Sequence, residues 1–378
     1  MARIYLDNAA TSMPKAKGMK EAICSYIEDG IVNPNRTESA LSFSLFEKIF
    51  GLREKICTLY SYYSPESIAF TKNVTEALNL VIHGLFTPKD HVIVSHFEHN
   101  AVMRALCGNN IEYSIMGYNG YYNDYSTLDS LLRPNTKAVI MTKASNVTGA
   151  IFDLDLIAEW THKHSLMLFI DSAQASPYVP IDMDKYNISG VCFTGHKGFL
   201  GPEGTGGVLF RKEIAEKVEP LIYGGTGSES DKLTMPSFLP DKFEAGTENT
   251  LGLIGLNAAM GYSLANLSEL KDKLKANTEL LIDGLLKLDG IEIKGPLEGE
   301  RTNVVSIVCS KFDLSYISSE LLKRGEIETR IGLHCAPLCH QAIGTFSNGT
   351  LRFSPSAFTT KDEIEKTLYL LKEIIYEK

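Results

Sequence analysis

No apolar run in this sequence approaches the roughly 20 residues that a membrane-spanning helix needs, and no signal peptide precedes Tyr5. There is no block of like charge. Thirty-seven Lys and Arg against 46 Asp and Glu give a net charge of −9, which points away from nucleic acid and from anionic membranes. A disulfide framework is also missing, because the seven cysteines (24, 57, 107, 192, 309, 335 and 339) are odd in number and scattered. No internal repeat or low-complexity linker is visible. These absences lead to an expected cytoplasmic chain with reduced thiols, binding neither nucleic acid nor membrane. What is present is ordinary globular composition: 378 residues, 44% hydrophobic and 22% charged, enough for a large core and two expected domains.

The most informative stretch runs from Cys192 to Phe210. A short apolar run leads to Thr194-Gly-His196-Lys197-Gly198, then a glycine-rich turn leads into a second apolar run, Gly207 to Phe210. Upstream, Leu166-Met-Leu-Phe-Ile170 is too short for a helix and reads as a buried strand ending in Asp171-Ser-Ala-Gln174. Taken alone, a lysine in such a turn is ordinarily a solvated loop residue, and an aspartate at a strand end is ordinarily a cap or turn former. In an α/β sheet, however, both would face one crevice at the strand ends. Pyridoxal phosphate chemistry needs that pair: a lysine for the Schiff base, and an acid to keep the pyridine nitrogen protonated.

Other stretches fit the same architecture. Ser67 to Leu78 reads as strand, tight turn and helix, and a helix start at Asn73-Val74-Thr75 is either an anion site or a simple cap. Val92-Ile-Val94 is a strand followed by Glu98-His99-Asn100-Ala101-Val102, where a histidine is ordinarily a turn or surface residue. Ala138 to Met141 is a strand leading to Ser145-Asn146. Helical spacing marks 15–28, 38–60, 153–165 and 250–266, so strands and helices alternate as in a mainly parallel sheet with crossovers. Residues 213–245 read as irregular, with Gly224 to Ser228 a surface loop. From about 268 the pattern becomes helix 269–288, strands 291–293 and 304–309, helix 314–324 and a final helix 361–376.

Thr329-Arg330-Ile-Gly-Leu-His334-Cys335-Ala-Pro337-Leu-Cys339-His340 allows three readings. It is a zinc site lacking a distant second pair, a core cysteine, or a nucleophilic thiol with His334 and Arg330 as candidate activating neighbours. Arg352, on an expected strand, has the fork that binds a carboxylate bidentately.

Over nearly the whole chain these stretches, in this order, resemble the class V aminotransferase-like enzymes of fold type I. Within them they resemble the cysteine desulfurases with a short catalytic loop. The resemblance implies a large cofactor domain with a mainly parallel seven-stranded sheet over 15–250, and a smaller α+β domain formed by 1–14 and 251–378. It implies pyridoxal 5'-phosphate on Lys197, its phosphate held by Asn73, Val74, Thr75, Thr194 and His196. His99 would stack on the ring and move protons, with Asp171 at the ring nitrogen and Asn146 and Gln174 at the phenolic oxygen. Thr247 would reach the phosphate of a partner subunit, which implies a homodimer. Asn8, Ala9, Arg330 and Arg352 would line the substrate pocket, Arg352 holding the carboxylate. Cys335 would take sulfur from L-cysteine, leaving alanine, and pass it to a sulfur-acceptor protein; no metal is expected. One departure is Ser39, which stands where the family usually has a histidine three positions after the arginine of the turn Asn33-Pro-Asn-Arg36. The alternatives are a selenocysteine lyase acting on L-selenocysteine, another class V aminotransferase or lyase that makes no use of Cys335, or a degenerate binding protein. The presence of Lys197, Asp171 and Arg352 speaks against the last.

Overall fold

The computed structural model describes residues 3–30 and 39–377, so the turn expected at 33–36 lies outside the described residues. The central sheet has seven strands: β1 (Ile68–Thr71), β2 (His91–Val94), β3 (Glu112–Ile115), β4 (Thr136–Thr142), β5 (Met167–Asp171), β6 (Gly190–Thr194) and β7 (Gly206–Phe210). Their spatial order is β1-β7-β6-β5-β4-β2-β3. Strand β7 runs antiparallel to both of its neighbours, and the other six are parallel. Helices cover both faces, which is why the inner strands read as continuous apolar runs rather than alternating ones.

The two-residue period of a strand divides each run between two cores. Ile93, Val139, Met141, Leu168, Ile170 and Phe193 face one way, toward Leu52 and Ile56 of α2 (Ala40–Leu59) and toward Leu253 and Met260. Val92, Val94, Ile140, Phe169 and Cys192 face the other way, toward Leu78 and Val81 of α3 (Val74–Leu85) and Leu106 of α4 (Asn100–Gly108). Each of these strand residues is fully buried, at 0% exposure. At roughly 1.5–3 kcal/mol per buried large aliphatic side chain, these two layers carry most of the fold's hydrophobic stabilisation. The register pairs Asp171 with Thr142 on one side and Cys192 on the other. The carboxyl ends of β4, β5 and β6 therefore emerge together, and that is where the site is built.

A four-stranded antiparallel sheet forms a second body: β8 (Ile291–Ile293), β9 (Val305–Cys309), β10 (Arg330–Gly332) and β11 (Thr350–Phe353), ordered β8-β9-β11-β10. The final helix, Lys361–Tyr376, opens with a capping box between Thr360 and Glu363. Residues Ile4–Tyr5 pair in parallel with Ile327–Glu328, which attaches the start of the chain to this body. Helix Thr250–Ala265, expected with the smaller domain, packs its Leu253, Ile254, Leu256 and Met260 into the core of the large sheet. Its hydrophobic residues face helix Met19–Glu28 and α2, and a sequence pattern does not say which layer an apolar helix joins.

Candidate active site

Asp171 ends β5 at 3% exposure and accepts the Ala173 N–H at 2.9 Å. Burial pushes its carboxyl up, opposed by that hydrogen bond and by Lys197. Burial likewise brings Lys197 down to about 8; Asp171 opposes the change, while Arg352 and Arg330 add to it. The two groups thus feel each other across the crevice, and the lysine is far readier than usual to lose its proton. The backbone before Lys197 is held by the N-terminal segment. The His196 carbonyl accepts Ser12 N at 2.9 Å, Ser12 Oγ at 3.0 Å and Thr11 Oγ1 at 3.2 Å. The Nδ1 of His196 is buried without a partner, and its ring is brought down to about 4, chiefly by burial and then by Lys197.

Helix α3 begins at the end of β1. Asn73 caps it, its Oδ1 accepting the Glu76 N–H at 3.0 Å, and Asn73 and Thr75 are exposed. Gly206 lies against this turn so closely that a Cβ there would stand 2.7 Å from the Asn73 Cα. Thr194 closes β6, its hydroxyl 3.4 Å from the Thr205 carbonyl. Thr247 is exposed and lines a cleft of about 230 Å3 together with Thr71, Lys72 and Glu76.

His99 caps α4, its Nδ1 accepting the Ala101 N–H at 3.0 Å. An acceptor Nδ1 leaves the proton of the neutral ring on Nε2. Burial, then Lys197, Arg330, Arg104 and Arg352, bring this ring down to about 4, so it stays neutral.

Arg352, on β11, is 2% exposed. Its Nη2 donates to Asp7 Oδ1 at 2.6 Å and its Nη1 to the Asn146 carbonyl at 3.1 Å, while Nε is buried and unpartnered. Arg330 stands directly across the register from it on β10. Two guanidinium groups side by side repel unless an anion joins them. Asn8 Nδ2 donates to the Ser354 carbonyl at 2.9 Å, and the Ala9 carbonyl accepts Gln174 Nε2 at 3.0 Å. Asn146 Nδ2 donates to the His334 carbonyl at 2.7 Å. Asn8 Nδ2 also donates to the Tyr5 carbonyl at 3.4 Å, whereas Gln174 and Asn146 each make one such bond, and an NH2 group has two N–H donors.

Cys335 is exposed, whereas Cys339 is buried with its thiol pushed up to about 12 by burial. His334 and Cys335 both have left-handed backbones, at φ 47° and 59°. Such angles strain a non-glycine residue, and strain of this kind collects at functional turns. The Cys335 carbonyl accepts the Asn100 N–H at 2.7 Å, one residue beyond His99. His334, considered as an activator of the thiol, does not supply a cation. Its Nε2 bonds Thr350, and burial followed by Arg352, His340 and Arg330 brings the ring down to about 2. The two side chains part at this left-handed turn, His334 into the core and Cys335 to solvent. Among the described residues no group of three or more His, Cys, Asp or Glu is arranged to hold a metal ion.

Sequence reasoning passed over Asp7 and Glu98. Asp7 carried a signal only in hindsight, as an acid beside the pocket residues Asn8 and Ala9, and Glu98 was hidden as a neighbour of His99.

A strand-end carboxyl, a lysine of lowered basicity, an exposed helix start and a buried unpartnered histidine nitrogen fit an α/β enzyme that carries pyridoxal phosphate. The orphaned His196 Nδ1, the exposed Thr75 and the close approach of Gly206 fit a phosphate, and the Lys197–Asp171 pair fits the ring. The class-V aminotransferase profile matches residues 4–367, and the chain belongs to that pyridoxal phosphate-dependent family. A cysteine desulfurase of Haloferax volcanii is 29% identical over 96% of this chain and 87% of its own. A probable cysteine desulfurase of Methanothermobacter thermautotrophicus is 29% identical over 98% of this chain and 94% of its own. Among solved structures, the apo cysteine desulfurase of Thermococcus onnurineus NA1 is similar at a TM-score of 0.89 and 27% identity, covering 99% of this chain and 94% of its own. An Escherichia coli cysteine desulfurase in an S-sulfonic acid form is similar at 0.86 and 26%, covering 98% and 95%.

Proposed function

We propose that this enzyme is a cysteine desulfurase that converts L-cysteine and the Cys335 thiol into L-alanine and a Cys335 persulfide. The reading is carried by an exposed cysteine on a strained turn that is hydrogen-bonded to the start of the His99 helix. An aminotransferase has no use for a thiol there. Bound pyridoxal phosphate supplies an electron sink for the carbanion formed at the substrate's α-carbon. Lys197 holds the cofactor and, with its basicity lowered to about 8, removes the α-proton. Asp171 holds the proton on the ring nitrogen. Asn73, Val74, Thr75, Thr194 and His196 take the phosphate, and the spare N–H groups of Asn146 and Gln174 reach the phenolic oxygen. Arg352 and Arg330 receive the substrate carboxylate, which offsets their mutual repulsion, beside Asn8 and Ala9. His99, neutral and carrying its proton on Nε2, is the proton donor. The Cys335 sulfur attacks the substrate sulfur, so one S–S bond forms as the C–S bond breaks. The persulfide then goes to a thiol of a sulfur-acceptor protein.

We further infer a homodimer working in the cytoplasm. Ile27, Leu41, Phe43, Phe46 and Phe50 leave an exposed apolar face on two neighbouring helices, with Phe46 and Phe50 stacked at 6.0 Å. A second copy would cover it and bring its Thr247 to the phosphate.

The test is to incubate the protein with L-cysteine and a reductant and to measure alanine and sulfide for the native chain and Cys335→Ser. We expect alanine from the native chain and almost none from the variant, with the cofactor's visible absorbance intact in both. Equal alanine from the two would sink the persulfide reading. A much higher rate with L-selenocysteine that survives in the variant would favour a selenocysteine lyase.

A further inference from the structure

Among the described residues Glu98 is the one fully buried carboxyl for which the mechanism above has no use. It is 0% exposed and lies one residue before His99. Its Oε1 accepts two bonds, from the Ser95 hydroxyl and from the Thr142 N–H at 3.0 Å, while Oε2 is buried with no partner. No lysine, arginine or histidine pairs with it among the described residues. Glu98 follows β2, and its bond to Thr142 brings its carboxyl to the end of β4, where Thr142 is the register partner of Asp171 on β5.

An ionised carboxylate at that point would be a second buried anion beside Asp171. Like charges so placed disfavour each other's ionised form, and any loss of charge at Asp171 weakens what the cofactor ring needs. A neutral acid avoids this. Burial is also the leading influence on the group itself, raising it to about 8 against the pull of its hydrogen bonds to Ser95 and Thr142, with Asp171 the one charged group acting on it.

We propose that Glu98 is a positioning residue that works as a neutral acid. It fastens the turn that carries His99 to the end of β4 and leaves Asp171 as the single negative charge at that edge of the sheet. The roles of His99 and Asp171 rest on the desulfurase reading; the charge state of Glu98 does not.

The experiment uses the full chain loaded with pyridoxal phosphate, as native protein, Glu98→Gln and Glu98→Ala. Difference infrared spectra of native minus Gln at pH 7 should show the carbonyl stretch of a protonated carboxyl, fading as the pH is raised through about 8. A carboxylate band in its place overturns the proposal. The pH midpoint of the bound cofactor's absorbance should agree within a few tenths of a unit between native and Gln. A shift of a full unit or more also overturns it, because the Gln substitution would then have removed a charge. The Ala variant should change the cofactor's visible circular dichroism, with Gln restoring it; a native-like Ala spectrum overturns the positioning role. Thermal melts identify any variant that fails to fold, and the infrared and Gln comparisons stand without the Ala variant. Failure of the desulfurase reading would appear as absent alanine, with the infrared result unchanged.

Discussion

Arg352 reaches the site with its guanidinium half used: Nη2 on Asp7, Nη1 on a backbone carbonyl, Nε on nothing. A planar fork in that state is built to take one more anion, and a lysine cannot reproduce it. Arg352→Lys should raise KM for L-cysteine roughly 10- to 100-fold, since a charge-assisted hydrogen bond contributes about 1.5–3 kcal/mol. Steady-state kinetics would show it, and an unchanged KM would assign the carboxylate to Arg330 alone. At this scale the sequence was most legible. Lys197 and Asp171 could be named because their residue types and spacing suit one chemistry, whereas His99 and the carboxylate role of Arg352 were named through the family resemblance. Asp7 could not, because its ion pair joins residues 345 apart in the chain.

The elements that place those side chains were less legible. Strand β10 has three residues, Arg330 to Gly332, and looks like part of a loop. Its pairing with β11 is nonetheless what brings Arg330 opposite Arg352. The N-terminal segment, expected with the smaller domain, pairs there but also crosses to the His196 carbonyl and so ties the loop of Lys197 to Arg352. Backbone contact decides the turn before α3 as well. Gly206→Ala would push a methyl group against Asn73 Cα and the Phe193 carbonyl, at 2.7 and 2.8 Å. Overpacking of this kind costs about 1–3 kcal/mol, so cofactor affinity should fall about 10-fold or more in an absorbance titration. Full affinity would mean that the turn has room to shift.

For the molecule as a whole, buried neutral histidines set the response to acid. His340 is 0% exposed and brought down to about 4, chiefly by burial, and His334 to about 2. The unfolded chain binds protons near 6.5 that the folded chain refuses, so stability is intact above that pH and falls as pH drops toward the folded values. At about 1.4 kcal/mol per pH unit, His340 alone removes about 3 kcal/mol by pH 4. Glu98 acts in the opposite sense, its penalty growing between about 4.5 and about 8. His340→Gln should therefore flatten the acid limb of Tm against pH, and an unchanged limb would show that the ring is not the group that titrates. Assembly is a second whole-molecule property. Phe46→Glu on the exposed apolar face should halve the mass seen in analytical ultracentrifugation, and an unchanged mass would place the interface elsewhere.

The sequence alone determined the alternation of strands and helices, the candidate cofactor lysine with its acid partner, and the candidate thiol. These depend on local periodicity and on which side chains can do a given chemistry. The tertiary structure alone decided which layer received the helix at 250–265, that His334 is buried while Cys335 faces solvent, that two arginines meet across a register, and that Glu98 lies at the end of the strand beside Asp171. Each of these depends on strand register and on desolvation by residues distant in the chain, and neither is written into a local pattern.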